Sequence, residues 1–250
     1  MISVFKNIRR KFFNEGNFFQ YGRYALGEML LIVGGILLAL YLNNLNEKKN
    51  LQQDQVKVLS EIISNLDGSI QAFERTIQTE KNYLLFNKQI VEHLENKLPY
   101  DPSLDMAFGT YFWTISTNPV TGAYDHLKEK GLDLIESDSL RQSISFLFES
   151  EFTILKEENE LWSNSFQQNI SYPYHVHHFR KYFPEDQHSE NYEFARPNNY
   201  SELLGDAYFL NINTEIISNR GWNIRSLENL ILKMEELKKL IQLELDRLSE

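Results

Sequence analysis

Residues 24–42 read YALGEMLLIVGGILLALYL, and this stretch decides how the rest of the chain is organised. Its 19 residues in an α-helix rise roughly 28 Å, which is close to the hydrocarbon thickness of a bilayer. No charged residue interrupts the run from Met29 onward. The stretch therefore predicts a single transmembrane helix, which we set at residues 24–46.

A cleaved signal peptide and a buried core helix would share this apolar character. A signal peptide has an apolar region of about 7 to 15 residues and ends in a small-x-small cleavage site. Residues 39–44 read ALYLNN, which contains no such site. A core helix is also apolar all round, but a basic and aromatic segment directly before the stretch is typical of a membrane anchor.

Basic residues are concentrated on one side of the predicted span. By the positive-inside rule this places the N-terminus in the cytoplasm. Residues 47–250 then lie outside the cytoplasmic membrane, in the periplasm if the cell has an outer membrane. The basic residues before the span are Lys6, Arg9, Arg10, Lys11 and Arg23, and those shortly after it are Lys48 and Lys49.

Composition limits the class of protein. With 250 residues, 42% hydrophobic and 24% charged, the chain can form one sizeable extramembrane core beside its anchor. It has no cysteine, which suits an oxidising compartment. After Glu28 it carries 20 basic and 33 acidic side chains, so the outer domain is predicted not to bind nucleic acid but to present an acidic surface to a periplasmic protein partner.

Residues 1–23 combine basic and aromatic side chains. Their pattern is typical of an interfacial helix, whose basic side chains meet anionic lipid headgroups while the apolar ones enter the acyl boundary. The alternative is a docking site for a cytoplasmic partner. The apolar face comprises Ile2, Phe5, Ile8, Phe12 and Phe13.

Two features distinguish the predicted span from a plain anchor. Glu28 lies about one turn inside its cytoplasmic end, where its carboxylate either snorkels to the interface or belongs to a ring that lines an ion path. Gly35 and Ala39 form a small-xxx-small pair, and Gly27 and Gly34 lie one heptad apart. Small residues allow helix backbones to approach closely, so the span predicts a homo-oligomer.

The same region resembles a known family. YALGE at 24–28, GILLAL at 35–40, Asn-Asn at 43–44 and Asn-Glu at 46–47 resemble the N-terminal signature of an uncharacterised Bacteroidota family of single-pass inner-membrane proteins. That signature has a basic aromatic N-terminus, a Gly-Glu pair where the span begins and an Asn-Asn pair where it ends. The resemblance covers residues 1–50, implies a Gram-negative inner membrane followed by a helical domain, and implies no activity.

An apolar heptad seam follows the span. Steps of three and four residues predict one long helix over residues 47–98, which Pro99 ends. Glu80 and Asn87 are its polar positions, where they set the register or face a wet gap. Heptads look alike whether they pack within one chain or between chains, so both arrangements stay open. The seam comprises Leu59, Ile63, Leu66, Ile70, Phe73, Ile77, Leu84, Val91 and Leu94.

The middle of the chain has a weaker pattern. Residues 101–170 are predicted to be helical, and the longest helix there begins at a capping box of Ser139 and Gln142. Pro173 is expected to end it. Residues 171–200 show no clear period and predict a long ordered loop, a place where function often lies.

Residues 201–250 predict two helices separated at Gly221. The second has an apolar seam that most simply packs antiparallel on the long helix. The predicted fold class is therefore all-α, with one N-terminal transmembrane helix that continues into a long heptad-patterned helix. That helix packs with the C-terminal helices in an extracytoplasmic helical bundle.

The densest group of potential ligands is in the predicted loop. In an extended strand His175 and His177 share a face, and with His178 they are the candidate zinc or copper ligands. The alternative is a set of histidines packed among aromatic side chains. Since a metal centre also requires a third ligand at the right distance, we predict no metal site and no cofactor.

No motif identifies a reaction, because the chain has no cysteine and no Gly-x-Ser-x-Gly elbow or phosphate-binding loop. We predict a non-catalytic, self-associating, membrane-anchored scaffold or sensor. One alternative is a homo-oligomeric ion channel with its pore formed by residues 24–42 and Glu28 at its mouth. The other is a metalloenzyme centred on His175, His177 and His178.

Overall fold

The first helix, α1, spans Phe18–Glu95 and is 78 residues long. A computed structural model describes residues 18–183 and 193–249, which form helices and one short hairpin. The all-α class is therefore confirmed, with the hairpin as an addition. The chain divides into two compact units, Met1–Gln55 and Val56–Glu250, and α1 contributes to both. The predicted interfacial face between Ile2 and Phe13 lies outside the described residues.

In the first unit, α1 exposes its apolar run. Across residues 25–50 every side chain is exposed, including Leu31 at 79%. Within the described residues this is the one helix long and apolar enough to cross a membrane. A helix of a soluble core would be mostly buried, so the exposure separates this run from that class of helix.

In the second unit, α1 ends at Glu95, three residues before the predicted end. Lys97 adopts a left-handed backbone conformation with φ 48°. The amide of Leu98 donates to the carbonyl of His93 at 3.0 Å, and that of Lys97 donates to Leu94 at 3.3 Å. These two bonds form a Schellman motif, which satisfies the last carbonyls of the helix before the proline is reached.

Short helical elements connect α1 to the long central helix. A 3₁₀ turn at Pro102–Leu104 leads into α2, Asp105–Thr110, and Asp101 caps the turn by accepting from the Ser103 amide at 2.9 Å. Helix α3 is Gly122–Lys130. It ends at Gly131, whose φ of 98° favours glycine, and a second 3₁₀ turn follows at Leu132–Leu134.

The central helical run differs from its prediction at both ends. It comprises α4 (Asp138–Ser145), a π-helical segment (Phe146–Glu151), α5 (Phe152–Trp162), a second π-helical segment (Ser163–Ser171) and α6 (Tyr172–His178). Ser137 caps it instead of Ser139, since its hydroxyl accepts from the Leu140 amide. Pro173 does not end it, because Pro173 occupies the first turn of α6, where the missing amide hydrogen costs little.

In the described part of the expected loop, residues 171–183 and 193–200, most residues lie in secondary structure. Besides α6 it contains β1 (Phe179–Lys181) and β2 (Ala195–Pro197), which pair antiparallel with Arg180 opposite Arg196. Buried aromatic residues account for the difference between the predicted loop and the structure. Phe179 and Tyr174 belong to a core cluster, although the polar residues next to them in sequence gave no sign of burial.

Two contacts hold the hairpin against α2. The buried carboxylate of Asp105 accepts hydrogen bonds from the hydroxyls of Tyr100 and Tyr182 and from Arg196 Nε, the last two at 2.6 and 3.0 Å. A Cβ atom at Gly109 would lie 1.7 Å from the carbonyl oxygen of Glu193. Glycine is therefore needed for the close approach of this backbone to α2.

The C-terminal region is α7 (Tyr200–Leu203) followed by α8 (Ala207–Ser249). The expected break at Gly221 does not occur, because packing on both sides of it outweighs the roughly 1 kcal/mol helix cost of a glycine. Asp206 caps α8 by accepting from the amides of Tyr208 and Phe209 at 2.8 and 3.2 Å.

Helix α8 runs antiparallel to the part of α1 in the second unit, as predicted. Lys238 pairs with Asp67 at 2.6 Å, and Lys81 pairs with Glu228 at 3.1 Å. Two core clusters lie along this pair of helices. One joins residues 58–77 of α1 to the C-terminal half of α8 through α3, α4 and α5, and the other joins Ile90 and Leu94 to the start of α8 through α2, α6 and the hairpin.

Candidate functional site

The residues singled out in the predicted span share one environment. Glu28, Gly27, Gly34, Gly35 and Ala39 are all exposed on α1 in the first unit. A Cβ atom built at any of the three glycines meets no atom within 4 Å. Their surface is therefore free to contact lipid or a second copy of the helix.

The heptad seam lies against α8 and the central helical run of the same chain. Six of its members are buried: Leu59, Leu66, Ile70, Phe73, Ile77 and Leu94. Ile63 and Leu84 are half-buried at the edge of the same core, and Val91 is half-buried, while Ile62 and Ile90 take buried positions next to Ile63 and Val91. The seam is thus occupied by intrachain packing.

The polar interruptions of the seam meet a buried arginine from α8. Arg220 is 2% exposed and its guanidinium forms an ion pair with Glu80. Its Nε donates to Asn87 Oδ1 at 3.0 Å, and Asn87 in turn donates to Asn213 Oδ1 at 3.1 Å. The charge of Arg220 is therefore neutralised inside the bundle, as buried charges require.

The same arginine also fixes the chain after α2. Its Nη2 donates to the carbonyl of Tyr111 at 3.2 Å and to that of Trp113 at 2.6 Å. The guanidinium carbon lies 5.1 Å from the ring centroid of Tyr83. All three guanidinium nitrogens are used, so Arg220 connects α1, α2 and α8 at one point.

A cavity of about 280 Å³ opens beside this network. Glu80, Arg220, Phe112 and Asn223 form buried parts of its wall. The segment after α2, the end of α5 with the second π-helical segment, and Ile216 and Asn219 of α8 supply the remaining wall. These include Thr114, Ser116, Asn118, Lys156, Asn159, Glu160, Trp162 and Ser163.

One buried polar atom in the cavity wall has no partner. Asn223 is 5% exposed, and its Oδ1 accepts no hydrogen bond. An unsatisfied buried acceptor costs about 1–3 kcal/mol, and Asn223 shares this state with the two ring nitrogens of His175. Asn223 is the one of these residues that lines the cavity, and we take the cavity as the candidate site in the second unit.

The three histidines do not form the expected shared face. They occupy the last turn of α6, where His175 and His177 are about 200° apart around the helix axis. His175 is buried, whereas His177 is exposed and the ring of His178 stacks on Tyr174 at 4.1 Å. Across residues 18–183 and 193–249, no three His, Cys, Asp or Glu side chains are placed to hold a metal ion.

His175 lies among aromatic rings instead. Its ring centroid is 4.4 Å from that of Phe112 and 5.3 Å from that of Phe179, and neither of its nitrogens has a hydrogen-bond partner. Burial, with a smaller contribution from the nearby charge of Lys181, lowers the pKa of His175 to about 4. It is therefore neutral at physiological pH.

Glu80 and Asn87 are detectable in the sequence as polar breaks in a seam, but Arg220 is not. Arg220 directly precedes Gly221, where the sequence predicted a break between helices, so Arg220 was assigned to a helix boundary and not to a buried position. The cavity residues come from four distant segments, and no local spacing relates them. The one available signal was that two polar seam positions require a partner.

Comparison of the chain with protein-family models, with curated proteins and with solved structures gives no match.

Removing the guanidinium should expose the cost of an unpaired buried carboxylate. We expect Arg220→Met to lower the free energy of unfolding by about 3–5 kcal/mol, because Glu80 is then left charged and buried. The double variant Glu80→Met/Arg220→Met should recover more than half of that loss. Urea denaturation of the full chain in detergent, followed by circular dichroism, measures both. A double variant as unstable as the single one would show that the ion pair is not the source of the effect.

His175 should make the domain sensitive to acid. The pKa of about 4 in the folded state lies below the ordinary value of 6.5, so the unfolded chain takes up the proton first as the pH falls. Stability is therefore lost progressively from about pH 6.5 down to pH 4, by up to about 3 kcal/mol.

The matched variants are His175→Phe and His177→Phe. The first should remove most of the fall in unfolding free energy between pH 7 and pH 4.5, and the second should leave it unchanged, because His177 is exposed. An unchanged acid dependence in His175→Phe would contradict the assignment.

Proposed function

We propose that the protein is a non-catalytic, single-pass membrane-anchored helical scaffold or sensor. Residues 24–42 hold it in a lipid bilayer, and the helical domain presents an acidic surface to partners. The observation that carries the proposal is the exposure of the apolar run in α1. Twelve large apolar side chains of this run are exposed, from Leu26 to Leu42.

The hydrophobic effect makes such a surface untenable in water. Burying one large apolar side chain is worth about 1.5–3 kcal/mol relative to leaving it exposed. The twelve side chains lie around the whole circumference of one uninterrupted helical run. A bilayer surrounds a helix on all sides, whereas a protein groove covers only one face, so the exposure favours a bilayer.

The charge distribution supports an orientation. Five basic residues precede the span and the acidic excess follows it, so the proposal places the N-terminus in the cytoplasm and residues 47–250 in the periplasm of a Gram-negative cell. The resemblance of residues 1–50 to single-pass inner-membrane proteins of Bacteroidota agrees with this placement.

The state of the polar groups in the second unit favours a non-catalytic role. Glu80, the deepest carboxylate at the cavity, is paired with Arg220 and is 2% exposed. Asp105, the other fully buried carboxylate near an aromatic cluster, accepts from three donors. Both carboxylates are thus engaged in contacts that hold the fold.

Self-association belongs to the span in this proposal. The seam on α1 is occupied by α8 of the same chain, so it offers no face to a second copy. Gly35 and Ala39, by contrast, lie on an exposed helix surface with space above the glycine backbone. Small residues at this spacing allow two helices in lipid to approach closely.

Charge within the apolar run should release the protein from membranes. Each arginine near the centre of a span costs about 2.5–3.5 kcal/mol on insertion. We expect Val33→Arg/Leu37→Arg to move the protein from the carbonate-resistant membrane fraction to the soluble or aggregated fraction. The matched control is Leu51→Arg/Leu85→Arg, which changes two exposed leucines of the same helix outside the run.

The control should stay in the membrane, and protease added to spheroplasts should digest the C-terminal domain of the wild-type protein. A wild-type protein that carbonate removes, or whose C-terminal domain is protected in spheroplasts, would refute the anchor or its orientation.

Replacing Gly35 tests the proposed contact between spans. We expect Gly35→Leu to weaken self-association in mild detergent by at least about tenfold, because the larger side chain separates the helix backbones. Ile36→Leu is the control, since it keeps the volume of an exposed neighbour. Sedimentation equilibrium gives both dissociation constants. A monomeric wild-type protein, or equal constants for the two variants, would contradict this contact.

A further inference from the structure

We propose that the cavity beside Arg220 binds a neutral, polyhydroxylated small molecule of monosaccharide size. This inference rests on the proposed function, since it names the class of ligand that a membrane-anchored sensor would bind. Three properties of the cavity wall support this ligand class: its balanced charge, its unused hydrogen-bonding groups and its apolar surface.

The charged groups in the wall cancel. Glu80 is paired with Arg220, and the exposed Lys156 lies 3.8 Å from Glu160. Arg220 has a partner on each of its three nitrogens, so it is not an unused receptor for an anion. With no net charge to neutralise, the cavity favours a neutral ligand over a phosphate, a carboxylate or an amine.

Several side-chain amides in the rest of the wall are unused. Within the described residues, the side chains of Asn118, Asn159 and Asn219 make no hydrogen bond to the protein, and the buried Oδ1 of Asn223 accepts none. An asparagine side chain both donates and accepts, as a hydroxyl group does. A ligand with several hydroxyls can therefore satisfy the amides of this set that face the cavity.

The apolar part of the wall suits the carbon skeleton of such a ligand. Trp162 is held by a stack on Phe166, with ring centroids 4.4 Å apart, and it lines the cavity together with Phe112 and Ile216. With Ile115, which also lines the cavity, two aromatic rings and two aliphatic side chains among many polar groups give a mixed surface. A polyol ring also has this character, with carbon–hydrogen faces and a polar edge.

The cavity volume and its local backbone agree with a small ligand. About 280 Å³ is at the lower end of ligand-binding cavities, which excludes oligosaccharides from complete enclosure. Ser163 and Ser171, at the two ends of the second π-helical segment, both contribute to the wall. Such segments cost stability and occur frequently at functional sites.

Binding is tested on the full chain in phosphatidylcholine nanodiscs, without alkyl glucoside or maltoside detergents, because their headgroups are sugars. Isothermal titration calorimetry is performed with D-glucose, N-acetyl-D-glucosamine and myo-inositol. Glutamate, inorganic phosphate and putrescine are the charged probes, and cyclohexanol is a ring of similar size with one hydroxyl. We expect at least one neutral polyol to bind saturably with a Kd on the order of 1 mM or tighter, and the other probes at least about tenfold more weakly.

Asn223→Leu should weaken that binding at least about tenfold without lowering the melting temperature, since replacing an unpartnered buried amide by leucine removes an unsatisfied group. Asn219→Leu, at a half-exposed position, is a second variant that leaves the core intact. Asn229→Leu, exposed on the same helix outside the cavity, is the matched control and should bind as the wild type.

Absence of saturable binding by all three polyols would overturn the inference, as would tighter binding of a charged probe. Equal affinity of wild type, Asn223→Leu and Asn219→Leu would also overturn it. These results are independent of the anchor: a protein that binds the polyol but is extracted from membranes by carbonate refutes the proposed function alone, and a retained protein that binds none refutes the ligand class alone.

Discussion

The ion pair between Glu80 and Arg220 fixes the register of the two longest helices. A heptad seam of leucine and isoleucine is nearly self-similar, so α8 shifted by seven residues along α1 would bury almost as much apolar surface. The shifted arrangement would leave Glu80 or Arg220 buried without its partner, at a cost of several kcal/mol. The pair therefore contributes less to the free energy of unfolding than to the free-energy difference between the native register and the shifted one.

The register has consequences for the elements around it. With Arg220 opposite Glu80, its remaining donors reach the carbonyls of Tyr111 and Trp113, and this places the segment after α2 over the helix pair. Asn87 and Asn213 extend the same polar network by one heptad along the helix pair. Apolar clusters lie on both sides of this layer, so the polar network separates two cores that each pack tightly.

Sequence reasoning succeeded where a long period repeats and failed where one residue was given too much weight. The seam from Leu59 to Leu94 repeats over many turns, and packing of α8 against α1 follows from two such seams. Pro173 and Gly221 were assigned as breaks from their intrinsic preferences. In the structure the first occupies a permitted helix position, and the second is kept helical by packing on both sides.

The cavity was beyond any local pattern, since its wall combines residues from positions 80, 112–118, 156–171 and 216–223. The hairpin was missed for a related reason. Its two strands are short, and both pack on α2, which is distant in sequence. Glu80 and Asn87 were expected to set the register or to face a wet gap, and their polar character within the seam is the part of the site accessible from sequence.

The polar groups around the cavity fall into two classes, those whose hydrogen bonds are satisfied within the fold and those whose hydrogen bonds are not. Arg220, Glu80, Asn87 and Asn213 satisfy one another and the backbone, so their polarity is accounted for by the fold. Asn223 is one turn away from Arg220 on the same helix and is equally shielded, yet its acceptor is unsatisfied. A leucine there would remove that cost, and α8 has leucine or isoleucine at most of its other buried positions. The proposed polyol would account for an amide at this position, because Asn223 also lines the adjoining cavity.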